Sequence, residues 1–261
     1  KVRVILVAKF LGMGSILQAT PMMKHLKEHF PKARLVMLST TSNKGLLDRL
    51  DFIDEEIFVN DKSPAQILKT TAQAIQRMQR LKIDLYFDLE VYSALSSIVS
   101  LASLARNRFG FYRQSAEFKE DICTHLMYFN MRRPVRSIYF QMARLATNAN
   151  SPIPAIGPIS ITEDDRAGLA QKLKSNPAWR GSVYTVVNPN ASDLMLERRW
   201  PAAKYAALIN SLHANGHQVV VVGAPNEATH VDLVLSQLSA AAQEAVVNTA
   251  GRLSLGELFA L

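Results

Sequence analysis

Residues 186–205 read VVNPNASDLMLERRWPAAKY and join a strand to a helix. The β-branched and aromatic run at 183–187 has the composition of a buried strand. Asn188-Pro189-Asn190 stops it as a turn. Pro201 suits a first helical turn, and AAKYAALINSLHANG continues with apolar spacing to Gly216, a good helix stop. A strand therefore brings a polar loop with Asn190 and Ser192, the guanidinium groups of Arg198 and Arg199, and a helix N-terminus to one place. In open α/β sheets that place is a ligand crevice, and a helix N-terminus with arginines suits phosphate. A solvated loop with incidental arginines is the alternative, against which the unusual Trp200-Pro201 ending weighs.

The same alternation starts the chain. Residues 2–8, VRVILVA, form a nearly continuous apolar strand of the buried parallel kind. It runs into Gly12-Met13-Gly14-Ser15 and a helix at 16–30 stopped by Pro31, and a second strand follows at 33–38. This is a βαβ unit with a Gly-rich first turn. Dinucleotide binding would need a third glycine where Leu17 stands, and an acid after the second strand where Ser39-Thr40-Thr41 stands. Gly12 and Gly14 are therefore assigned to a tight turn that lets the backbone approach a ligand or another domain. His25 to His29 spells H-x-x-E-H, a zinc pattern, but both histidines flank the apolar face of a helix about to end. A solvated helix edge is expected there, and no metal.

Helix 64–81, strand 84–90, helix 93–105 and strand 108–111 follow, then helical stretches at 120–129 and 135–147. Asp88 and Glu90 lie near a strand's C-terminal end, where α/β sheets place their chemistry. Helix capping, or pairing with Arg106 or Arg108, would explain them equally well. Residues 149–158, with three prolines and a glycine, read as a linker. Beyond it come strand 159–161, helix 163–174, the stretch quoted above, strand 217–223, a helix from Glu227 toward Leu238, strand 246–248 and a helix from Leu255.

Composition bounds the rest. The 261 residues are 48% hydrophobic and 20% charged, enough apolar content for two cores. A single cysteine, Cys123, excludes a disulfide within the chain and points to a reducing, cytoplasmic compartment. No apolar run approaches the ~20 residues of a membrane span. Charge is uneven: residues 1–150 hold 22 Lys and Arg against 13 Asp and Glu, the remainder 8 against 9. The first half is thus suited to an anionic partner, whether nucleic acid, anionic lipid or a phosphorylated glycolipid, or simply has a basic, soluble surface.

Strand, N-P-N-A-S and then R-R-W-P-A-A-K-Y resembles the nucleotide-sugar phosphate loop of glycosyltransferase family 9, the ADP-heptose:lipopolysaccharide heptosyltransferases and their relatives. Weaker matches keep the family's order along nearly the whole chain. Gly14 to Pro21 resembles the first-loop motif G-D-x-x-x-x-x-P, which includes Gln18 here; residues 84–90 with Ser93 resemble its D-L-x-x-D-L-Q strand, and Arg108-Phe109-Gly110-Phe111 its R-x-G-F. Gly223 with Glu227 resembles a nucleoside-contacting G-x-x-x-E, and Gly251 to Leu258 resembles G-x-x-S-L-x-E-L.

The resemblance implies an α/β fold of two Rossmann-like domains facing across a cleft, the GT-B arrangement. Residues 1–150 would be the acceptor-side domain and 151–261 the nucleotide-sugar domain. It implies an inverting glycosyltransferase that moves heptose or a similar sugar from a nucleotide-diphosphate donor to a lipopolysaccharide-core or related glycolipid. No cofactor or nucleic acid is called for, and the enzyme would sit peripherally on the inner membrane's cytoplasmic face. Asn190, Ser192, Arg198, Arg199, Gly223 and Glu227 would serve the donor, Gly12, Gly14 and Gln18 the acceptor-side loop, and Glu90 or Asp88 the proton, with Ser15 positioning the acceptor. Arg198 takes the place of the family's phosphate-binding lysine. Ser15 takes the place of its first-loop aspartate, the proposed base, and a serine cannot accept that proton at neutral pH. A nucleotide-sugar-binding or assembly protein without catalysis is therefore the alternative. The family continues past S-L-x-E-L to a D-T/S-G-x-x-H motif, so the second domain is expected to be incomplete here.

Overall fold

The computed structural model describes residues 1–181, 183–191 and 196–261. Contacts divide the chain into two compact units, Lys1–Ser160 and Ile161–Leu261. The boundary falls beyond the proline-rich stretch because that stretch is tied to the first unit. The Gly157 amide donates to Thr20 Oγ1 at 3.2 Å, the Ser160 amide to the Arg49 carbonyl at 3.0 Å, and the Arg144 guanidinium to the Ser151 carbonyl. The strand expected at 159–161 does not form, and the Ser160 amide bonds to a loop carbonyl instead of a ladder.

The first unit runs β1 (Val4–Ala8), α1 (Met13–His29), β2 (Arg34–Thr40), α2 (Lys44–Leu47), β3 (Glu55–Val59), α3 (Pro64–Leu81), β4 (Leu85–Asp88), α4 (Ala94–Ala102), β5 (Asn107–Tyr112), β6 (His125–Tyr128) and α5 (Val135–Thr147). Its sheet has the order β3-β2-β1-β4-β5-β6 with every pairing parallel. Strands β1 and β4 are wholly buried, as continuous apolar runs in a parallel sheet covered on both faces must be. Strand order reverses between β1 and β4, so the loops leaving these two strands flank the crevice where such sheets bind ligands. α1 packs on α5 and α3 on α4.

Two elements depart from the sequence reading. Residues 120–129, expected helical, contain β6, whose register runs from Phe109–His125 to Tyr112–Tyr128. The Phe109 and His125 rings stack at 4.4 Å, so an exposed sheet edge overrode a weak helical pattern. Edge strand β3 was unread because its acids interrupt the apolar run. Glu55 is instead held by Arg77 at 2.6 Å and by Arg34.

The second unit runs α6 (Glu163–Lys174), β7 (Tyr184–Val187), α7 (Ala202–Ala214), β8 (Gln218–Val221), α8 (Ala228–Leu235), α9 (Ala240–Ala245), β9 (Val247–Asn248) and α10 (Leu255–Ala260). Its strands form a parallel sheet in the order β7-β8-β9. β8 is buried throughout, whereas β7 lies at the edge of the described sheet with only Val187 buried, contrary to the buried strand expected there. α6 and α10 both begin in reciprocal capping boxes, Thr162 with Asp165 and Ser254 with Glu257. Two Rossmann-like α/β units therefore make up the chain.

Candidate functional site

In the first unit the loops leaving β1 and β4 are locked together by one carboxylate. Glu90 Oε1 accepts from Lys9 Nζ and the Phe10 amide, both at 2.8 Å, and from the Leu11 amide at 3.2 Å. Its other oxygen accepts no hydrogen bond among the described residues, and the side chain keeps 13% of its exposure. Beyond this anchor Gly12 turns the chain at φ 87°, a left-handed value that justifies glycine. Gly14 is helical, with open space where a Cβ would stand. Ser15 and Gln18 are half-buried in the first turns of α1. Beside Ser15 and Glu90 lies Tyr139 of α5, a residue the sequence reading missed. Burial first, and the Glu90 charge second, push its phenol up to about 12, with the Ser15 hydroxyl opposing. Tyr139 thus stays a neutral phenol at neutral pH and can donate a hydrogen bond.

Asp88 is sealed. Its carboxylate is fully buried and accepts from Lys119 Nζ at 2.8 Å, Ser96 Oγ at 3.0 Å and the Glu90 amide at 3.0 Å. Burial raises its pKa, while the charge and hydrogen bond of Lys119 hold it down. Lys119, itself fully buried, also donates to the Glu90 carbonyl. Asp88 pairs with neither Arg106 nor Arg108 and faces no solvent, and its three hydrogen bonds brace the Glu90 loop from beneath. A lone Lys119 on a short 3-10 turn gave no sequence signal of this role. Of the H-x-x-E-H string, Glu28 and His29 are exposed as a solvated helix edge requires, but His25 is not. His25 is buried, packs on Phe140 with ring centroids at 5.1 Å, and bonds Thr147 Oγ1 at 3.1 Å.

In the second unit the loop leaving β7 folds back over β8. Asn190 Nδ2 donates to Asn188 Oδ1 at 2.9 Å and to the Val222 carbonyl at 3.1 Å. Gly223 makes room for it, since a Cβ there would stand 2.8 Å from Asn190 Nδ2 and 3.2 Å from Val231. Arg199 turns inward, its Nη2 on the Ala191 carbonyl at 3.4 Å, instead of toward solvent or Glu197. His230 of α8 feels the charges of both Arg199 and Glu227. Burial and then the Arg199 charge lower its pKa, while a hydrogen bond to the Pro189 backbone and the Glu227 charge raise it. Three buried polar atoms here have no partner among the described residues: Asn190 Oδ1, Arg199 Nε and His230 Nε2. Unpaired polar atoms are costly in a protein interior, so two on this loop and one on α8 are suited to a ligand.

The other donor-side residues surround this cluster. Arg198 is exposed at the end of the short 3-10 turn Leu196–Arg198. Trp200 leans on Tyr205 with ring centroids 5.5 Å apart, and α7 begins after Pro201 with no side-chain cap. The Ala202 and Ala203 amides have no partner among the described residues, while the Lys204 amide donates to the Pro201 carbonyl at 2.9 Å. Glu227 accepts from the Ala224 amide at 2.8 Å and closes the turn ahead of α8. Ser192 lies outside the described residues. Glu257, in the last of the sequence motifs, holds its own helix cap and Lys172 at 2.6 Å.

A family model described as glycosyltransferase family 9 (heptosyltransferase) matches residues 73–261. The chain is 25% identical over 218 residues to lipopolysaccharide heptosyltransferase 3 of Escherichia coli, covering 82% of this chain and 62% of that protein. It thus spans less than two thirds of that relative's length. A solved family 9 glycosyl transferase from Veillonella parvula DSM 2008 superposes with TM-score 0.78 at 18% identity, over 99% of this chain and 72% of that one. The E. coli ADP-heptose lps heptosyltransferase II gives 0.74 at 17%, over 98% and 75%. E. coli heptosyltransferase WaaC with ADP gives 0.65 at 14%, over 98% and 76%.

Proposed function

The chain belongs to glycosyltransferase family 9, and we propose that it serves an inverting transfer of heptose or a similar sugar from a nucleotide-diphosphate donor to a lipopolysaccharide-core or related glycolipid. The observation that carries this reading is the cluster of unpaired polar atoms at Asn190, Arg199 and His230 beside the uncapped start of α7. A diphosphate would lie against α7's first amides and Arg198, with Glu227 toward the nucleoside. Cationic groups there stabilise the charge that develops on the leaving diphosphate, and no metal or organic cofactor is invoked. The acceptor oxygen forms the new bond to the anomeric carbon. The old bond's electron pair leaves with the nucleoside diphosphate, and the acceptor proton passes to Glu90 through its unoccupied Oε2. Gly12, Ser15 and Gln18 would border the acceptor. The basic first unit suits an anionic glycolipid at a membrane, and the single free cysteine suits the cytoplasmic face.

A second reading, a nucleotide-sugar-binding or assembly protein without catalysis, is favoured by Ser15 and by the three donors already on Glu90 Oε1. Calorimetric titration of ADP and ADP-heptose, followed by assay of transfer or donor hydrolysis, separates the two. Binding with turnover supports the transferase, binding without turnover supports the second reading, and absence of nucleotide binding removes both.

A further inference from the structure

α4 is built with its chemistry reversed. Its inward residues are Ser96, Ser97, Ser100 and, just after the helix, Ser103, all at most 1% exposed, with Val99 the apolar exception. Their hydroxyls are largely met inside: Ser96 by Asp88, Ser97 by the Ser93 carbonyl at 3.2 Å, Ser103 by the Ser100 carbonyl at 2.6 Å. The large apolar side chains point outward at a spacing of three, Leu95 at 46%, Ile98 at 59%, Leu101 at 48% and Leu104 at 73% exposure. A surface helix normally turns such a stripe to the core. A contiguous exposed ridge of this kind marks a docking surface.

The charges at its two ends say what covers it. Beside Leu104 a cavity of about 280 Å³ is lined by Arg3, Lys82 and Arg106. Among the described residues none of these three cations is in an ion pair, and the one acid lining the cavity, Asp84, is occupied by the Arg3 and Val4 amides at 2.7 and 3.2 Å. At the other end Tyr92 is 56% exposed, with the Arg113 guanidinium 5.7 Å over its ring. α4 itself carries no charged residue. An apolar ridge between a cation-lined hollow and a Tyr–Arg pair matches a bilayer interface, where apolar side chains enter the acyl boundary, phosphate headgroups meet cations and tyrosine sits at headgroup level.

We propose that the α4 face docks the first unit on an anionic lipid bilayer, Leu95, Ile98, Leu101 and Leu104 entering the interface and the Arg3–Lys82–Arg106 hollow receiving a lipid phosphate. This deepens the membrane part of the proposed function and is independent of the donor site, so ADP affinity stays unchanged in every variant below.

The test is co-sedimentation of the chain with vesicles of phosphatidylglycerol and phosphatidylcholine, against phosphatidylcholine alone. The parent should partition to the anionic vesicles and release in 1 M salt, where the Debye length is about 3 Å. Ile98→Asp should lower partitioning roughly tenfold, and Lys82→Gln and Arg106→Gln about fivefold each, from ~1 kcal/mol per basic side chain at the surface. Leu104→Gln is the second apolar variant should Ile98→Asp melt below the parent. The proposal is overturned if the parent binds neutral vesicles equally or binds neither, or if folded apolar variants sediment like the parent. It is also overturned if light scattering finds a dimer that Ile98→Asp dissociates, which makes the ridge a seam between copies.

Discussion

The loop ends of the two sheets differ in how their polar groups are satisfied. At the β1/β4 end every carboxylate near the crevice already has partners. Asp88 has three and Glu90 Oε1 has three, from an ammonium, a hydroxyl and backbone amides. At the β7/β8 end an amide oxygen, a guanidinium nitrogen and an imidazole nitrogen have none among the described residues. The carboxylates of the first region are braced from within the fold, whereas the second region keeps unmet hydrogen-bonding capacity among the described residues. A buried charge thus marks structure in the first unit, and clustered unmet hydrogen-bonding capacity is what supports the proposed donor site in the second.

The largest break in this contrast should come from Lys119→Met. It leaves the Asp88 carboxylate buried and unpaired, and breaking a buried pair from one side costs about 3–5 kcal/mol. Thermal melts should show that loss, and Asp88→Asn added to Lys119→Met should recover most of it. Additive losses in the double variant would mean that the pair is not what braces the Glu90 loop.

Next comes Arg198→Ala. A charge-assisted phosphate contact contributes about 1.5–3 kcal/mol, so ADP binding should weaken roughly 10- to 100-fold with the melt unchanged, while Arg198→Lys keeps much of the affinity. Arg199→Ala, because that side chain turns inward to the Ala191 carbonyl, should lower the melting temperature as well as affinity. If Arg199→Ala behaves as a surface change and Arg198→Ala binds like the parent, the phosphate loop is misassigned.

Glu90→Gln keeps an acceptor for the Phe10 and Leu11 amides but loses the ion pair to Lys9. A stability loss of about 1–2 kcal/mol is expected. A base role predicts, in addition, a turnover loss far beyond what the melt accounts for. Turnover that follows the melt alone would reduce Glu90 to a loop anchor.

The smallest effect is in pH. His25 and His230 both titrate below the ordinary 6.5, for burial first in each case. A histidine whose folded pKa is lowered contributes stability that is complete above about pH 6.5 and is lost as pH falls through the folded value. Stability should therefore decline modestly on acidification below 6.5. ADP should separate the two histidines in an NMR titration. A diphosphate near the second cluster raises the pKa of His230, while His25, bonded to Thr147, does not move. Equal movement of both, or of neither, would argue against a ligand at the second cluster.

The sequence by itself determined the alternation of strands and helices, the Gly12 turn and the strand–loop–helix that carries the arginines. Apolar periodicity, small caps and turn residues act over a few positions, so their signal is local. The tertiary structure alone decided which arginine turns inward, that Lys119 rather than Arg106 or Arg108 neutralises Asp88, that 125–128 joins a sheet edge, and that α4 turns its serines in and its leucines out. Each of these is a choice of partner between groups far apart along the chain. Desolvation and ion pairing depend on which surfaces meet in space, and no local pattern of residues records that.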